Sequence, residues 1–161
     1  MPVDRPPPQP SAVSNARPGW YTKAMGSKTD IGAWIGDIED ATLANDTFRR
    51  VLFTGAHTQL TVMALKRGEE IGWEAHGHLD QFIRIEEGQA RVDLGLDEHT
   101  VSEQHEVRDD WALIIPAGTW HNVVNTGDGA LRLYSLYSPP EHPDGTVHRT
   151  KADADAAEHH H

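Results

Sequence analysis

Eight short runs rich in β-branched and aromatic residues, spaced about ten residues apart, constrain this chain more than any other feature. They fall at 59–65, 72–78, 82–87, 90–94, 100–107, 111–115, 120–125 and 131–138. Turn chemistry separates them: Lys66-Arg67-Gly68, Glu87-Gly88, Pro116-Ala117-Gly118 and Thr126-Gly127-Asp128-Gly129. Side chains alternate along each run with the period of a strand, so the pattern predicts an all-β sandwich or barrel with no long helix.

The ends read differently. Six of the ten prolines lie between Pro2 and Pro18, in a stretch almost without bulky apolar residues, so residues 1–19 are expected to form a disordered or extended arm. The domain is expected over 20–150, with Trp34, Ile35 and Ile38 anchoring its first strand. Residues 151–161 form a tail, a short or frayed helix ending in the tag-like His159, His160 and His161.

Fourteen Lys and Arg against twenty-five Asp and Glu give a formal charge of −11. With no basic cluster to neutralise phosphates, nucleic acid is excluded as a partner. The absence of cysteine removes disulfides, thiolate metal sites and a cysteine nucleophile. No apolar run nears the roughly 20 residues of a membrane span, which predicts a soluble, cytoplasmic protein that does not engage a membrane. Trp20, Tyr21, Trp34 and Ile35 lie outside the strand-rich core, where a second copy would cover them, so a homodimer is expected.

Within this frame the histidines are unevenly placed. Glu74, His76 and His78 recur at every second position and would project from one face of a strand. After a turn, Gln81, Ile83 and Ile85 share an inward face and Arg84 points out. His121 heads a later strand with Val123 on its face. His57, His99 and His105 have no such context, and Trp73, Trp111 and Trp120 are expected in the core, Trp120 beside the site.

Two motifs follow in order: His76-Gly77-His78 with Gln81 and Gly88, then Asp110, Pro116-Ala117-Gly118, His121 and Asn125. They resemble the paired motifs of the cupin superfamily over about Gly68 to Asn125, and 138–148 resembles a segment of small single-domain bacterial cupins. The resemblance implies a double-stranded β-helix, or jelly-roll, barrel. It implies a divalent metal, Fe, Mn, Ni, Co, Cu or Zn, held by His76, His78, Gln81 and His121. Gln81 stands where the family usually has Glu, and Asp110 where it usually has Gly. A neutral amide leaves the charge of the ion undiminished, and Glu74 offers the missing carboxylate as a ligand or as a base beside the ligands. Gln81 is either a ligand or a residue that orients a histidine or a water.

The expected function is that of a metalloenzyme acting on a small oxygenated or carbonyl substrate, a dioxygenase or an isomerase or lyase, with Glu74 and Gln81 as catalytic residues. The alternative is a non-catalytic sensor or binding module. Segment 139–148 is expected to cover the barrel mouth and to bring Glu141, His142 and His148 to the pocket. Trp120, His142 and His148 are the expected substrate contacts.

Overall fold

The computed structural model describes residues 26–158. The proline-rich arm, Trp20, Tyr21 and the terminal histidines therefore lie outside the described residues. The chain runs through β1 (Ser27–Lys28), β2 (Trp34–Ile35), α1 (Ile38–Leu43), β3 (Arg49–Thr54), β4 (Gln59–Leu65), β5 (Asp80–Glu87), β6 (Gln89–Gly95) and β7 (Glu103–Arg108). It continues through β8 (Ala112–Ile115), β9 (Trp120–Asn125), β10 (Leu131–Ser138), β11 (Val147–His148) and α2 (Lys151–Glu158). A six-stranded antiparallel sheet in the order β11-β3-β4-β10-β5-β8 faces a three-stranded one, β7-β6-β9. The fold is the cupin jelly-roll that the strand pattern and the motifs imply.

Alternation explains the core. In β10, Leu131, Leu133, Ser135 and Tyr137 are buried and Arg132, Tyr134 and Leu136 are less so. Its neighbours β4 and β5 contribute Met63 and Leu65 and then Ile83 and Ile85, all fully buried. The small sheet closes this core with Ala90, Val92, Val107 and Val123. Each fully buried aliphatic side chain contributes about 1.5–3 kcal/mol relative to exposure, so inward rows on both sheets fix the register.

Four expectations need correction. Segment 72–78 has the period of a strand but forms no ladder: its β-pairing is an isolated antiparallel bridge, Glu74 opposite His121. Gly72 and a turn at Gly77-His78 interrupt any ladder there. Strand β3 went unanticipated, because Arg49 and Arg50 disguise its apolar remainder. Trp111 is 47% exposed instead of belonging to the core. Finally, α2 buries Ala154 in the main core, so the packed unit runs past residue 150.

Two motif turn positions differ in consequence, the glycine kept at 88 and the aspartate that stands at 110. Gly88, between β5 and β6, has φ 109°. Asp110, between β7 and β8, has φ 73°, in the left-handed region that favours glycine. Its carboxylate accepts from Arg84 Nη2 at 3.1 Å, an exposed contact of little worth. Asp110→Gly should therefore raise stability, by up to about 1 kcal/mol, because an L-residue in this region costs about 1–2 kcal/mol and aspartate the least of it. Urea unfolding of the variant and the parent checks this. A fall in the midpoint would show that the aspartate side chain, not its backbone, decides the turn.

Candidate metal centre

The bridge between Glu74 and His121 is the foundation of the site. Glu74 N–H donates to the His121 carbonyl at 3.0 Å and His121 N–H to the Glu74 carbonyl at 2.8 Å, which sets the two side chains next to each other on one face. Gly118, in the turn before β9, donates its N–H to the His76 carbonyl at 2.8 Å and so ties the second motif to the first. Asp80, opening β5, accepts from Ala117 N–H at 2.9 Å and fixes the same turn.

Glu74, His76 and His121 converge so that one ligand atom from each lies within 4.8 Å of the others. His76 Nε2 donates to Glu74 Oε1 at 3.3 Å, and His121 Nε2 is 3.7 Å from the same oxygen. His121 Nδ1 donates to the Thr119 carbonyl at 2.9 Å, which fixes the tautomer and leaves a lone pair on Nε2. That Nε2 is buried with no hydrogen-bond partner among the described residues. A buried acceptor without a donor costs about 1–3 kcal/mol, and a cation is the partner this donor set suits.

Charges follow from the same contacts. Burial pushes the Glu74 carboxyl up, but the His76 hydrogen bond and the charges of His76, His121 and Arg49 outweigh it and hold it below its usual range. Burial pulls His76 down, and the Glu74 hydrogen bond with the Glu74 and Glu141 carboxylates lifts it above its usual value. Burial dominates at His121 and lowers it below its usual value.

The other expected residues fall into place around this group. His78 sits in the turn, its side chain 68% exposed, with Nε2 3.9 Å from Glu141 Oε2, and stands outside the cluster. Gln81 is buried, its amide nitrogen 3.4 Å from Ser135 Oγ and its Oε1 without a partner among the described residues. Trp120 stacks on Trp73, ring centroids 5.9 Å apart. Alternation puts this pair on the side of the chain opposite to Glu74 and His121. His148, on β11, accepts at Nδ1 from Arg49 Nη1 at 3.2 Å.

A cavity of about 370 Å³ opens beside the cluster. Glu74, His76 and Tyr137 line it together with a second stretch of wall, Glu141, His142 and Pro143. Gln59 holds that second wall: its side-chain carbonyl accepts from the Glu141 and His142 amides at 3.1 and 2.9 Å, and its amide donates to the His142 carbonyl at 2.7 Å. Burial and then Arg49 push His142 down to about 3, so its imidazole is uncharged at ordinary pH, and its Nε2 has no partner among the described residues. Burial pushes the Tyr137 phenol up to about 12, which keeps it a donor.

Arg49 also lines this cavity, 4% exposed, and was not anticipated. The available signal was the Arg49-Arg50 pair itself, since alternation sends one of two adjacent strand residues inward.

A family model for the cupin domain matches residues 61–137, which include all three clustered residues. The uncharacterized protein YrkC of Bacillus subtilis (strain 168) is 54% identical over 125 residues, covering 78% of this chain and 67% of that protein. An uncharacterized protein of Acanthamoeba polyphaga mimivirus is 39% identical over 115 residues, 71% of this chain and 70% of the viral protein. The crystal structure of BH2720 from Bacillus halodurans matches with a TM-score of 0.75 at 56% identity, covering 76% of this chain and 92% of that one.

Proposed function

This chain belongs to the cupin superfamily, and on that premise we propose that it is a metalloenzyme acting on a small oxygenated or carbonyl substrate, with Glu74, His76 and His121 as the ligands of one divalent ion. The observation that carries the reading is the buried, unpartnered Nε2 of His121 aimed at a carboxylate and a second imidazole. Two imidazoles and one carboxylate leave positions open for substrate, a donor set shared by non-haem iron oxygenases and hydrolytic zinc sites. A bound divalent ion there would supply a Lewis-acidic centre for a substrate oxygen.

The chain's own groups do the rest. The Thr119 carbonyl keeps the His121 lone pair on Nε2. Glu141, with Oε1 3.6 Å from His76 Nδ1, steers that ring and raises its basicity. Tyr137, protonated, and His142, uncharged, present a neutral polar wall to a substrate.

The test is titration of protein lacking His159, His160 and His161 with Fe, Mn, Co, Ni, Cu and Zn salts, followed by oxygen-uptake and carbonyl-isomerisation assays on the loaded form. One equivalent bound, lost in Glu74→Gln, together with turnover, is expected. Binding without turnover of any substrate offered favours a non-catalytic module. No uptake of any ion overturns the metal centre.

A further inference from the structure

The strongest unassigned feature is a buried cation in the same cavity. Arg49 projects inward from β3, where alternation sends Arg49 and Val51 to the core side. Its guanidinium rests over the Phe48 ring, 5.5 Å from the centroid. Nη1 reaches His148 Nδ1, while Nε is buried with no partner among the described residues. Among the described residues no carboxylate lies within ion-pairing distance of it, although twelve other such pairs occur within 4.0 Å. A buried charge with a neutral imidazole as its one polar side-chain partner is costly, and native proteins rarely keep one without a counter-ion.

The counter-ion is not supplied by the walls. Glu141 is engaged with His76 and His78, Glu74 with His76 and His121, and Glu158 lines the cavity from the exposed end of α2. We propose that Arg49 is the anchor of a carboxylate on the substrate, so that the natural ligand is a small carboxylic acid whose second oxygen function is directed at the Glu74, His76 and His121 cluster. A planar guanidinium matches a carboxylate in a two-pronged contact. One arginine matches one carboxylate in this contact, and the second charge of a phosphate dianion would sit among the carboxylates of Glu74, Glu141 and Glu158. The inference narrows the substrate class of the proposed metal centre and rests on that reading for the placement of the second oxygen.

The experiment uses pyruvate and lactate as probes and their uncharged amides as controls. Binding is followed by calorimetry on metal-free and Zn-loaded protein without the terminal histidines. Wild type should bind the acids and discriminate against the amides. Arg49→Met should weaken acid binding by roughly 30-fold or more, with Zn affinity unchanged, and Arg49→Lys should recover part of it. Met at 49 also removes the unpaired charge, so that variant should melt no lower than wild type in the absence of ligand. If it fails to fold, Arg49→Lys and Arg49→Gln carry the comparison. Equal binding of acids and amides, acid binding indifferent to residue 49, or no acid binding by Zn-loaded wild type overturns the anchor. Loss of Zn uptake in wild type overturns the metal centre instead, and the metal-free titration then judges Arg49 alone.

Discussion

Replacing His121 with Phe is expected to erase divalent-metal binding while leaving the metal-free protein about as stable as before. The ring keeps the volume, and the buried Nε2 that lacks a partner disappears. That gain, about 1–3 kcal/mol, roughly offsets the lost hydrogen bond to the half-buried Thr119 carbonyl. Metal affinity should fall by more than the roughly 10–100-fold that loss of an outer hydrogen-bond partner costs. In the parent, metal at about 100 times its Kd adds roughly 2.7 kcal/mol to stability, and the variant should show no such shift. Melting curves with and without metal read both effects. A variant that destabilises strongly without metal would assign His121 a structural role, and one that still shifts with metal would move the ion elsewhere.

Gly88→Ala should damage the barrel strongly, because crowding and an unfavourable backbone conformation coincide there. A Cβ there would lie 2.9 Å from the Ala130 carbonyl oxygen and 3.1 Å from Leu131 Cα, both backbone atoms that cannot swing aside. The φ of 109° adds a conformation that L-residues rarely adopt. Strain of about 1–3 kcal/mol and overpacking of about 1–3 kcal/mol combine to a loss of about 2–6 kcal/mol. Thermal melting should record a drop of roughly 4–24 °C. Gly118→Ala provides the contrast, because no atom lies within 4 Å of its added Cβ and only the φ of 83° opposes it. Equal losses in the two variants would mean that the crowding at Gly88 relaxes.

The contrast between Gly88 and Asp110 shows what a sequence of this kind reveals. A residue's local geometry is written in its type, so the turns, the inward rows of β5 and β10 and the jelly-roll were legible. Convergence across distant segments is less so. Glu74, His76 and His78 looked equivalent by spacing, but the single bridge to His121 aligns the first and the turn at Gly77 diverts the third. Arg49 is buried through contacts with β11 and the cavity walls, among them His148, 99 positions away, and the Arg49-Arg50 pair signals one inward arginine without reporting what it meets. Of the segment after β10, Glu141, His142 and Pro143 line the cavity, and the sequence pointed to them because a long strand ends just before the paired prolines.

The three hydrogen bonds from Gln59 to residues 141 and 142 make the outer wall of the cavity part of the sheet in mechanical terms. Gln59 is fully buried at the start of β4, paired in register with Tyr137 of β10. Swinging the wall aside would break three hydrogen bonds of a buried side-chain amide at one stroke and leave it the bond to Thr54 Oγ1, which places that motion among sub-global openings and not among loop fluctuations. The shape of the cavity is thereby held by an amide that is not itself among its lining residues.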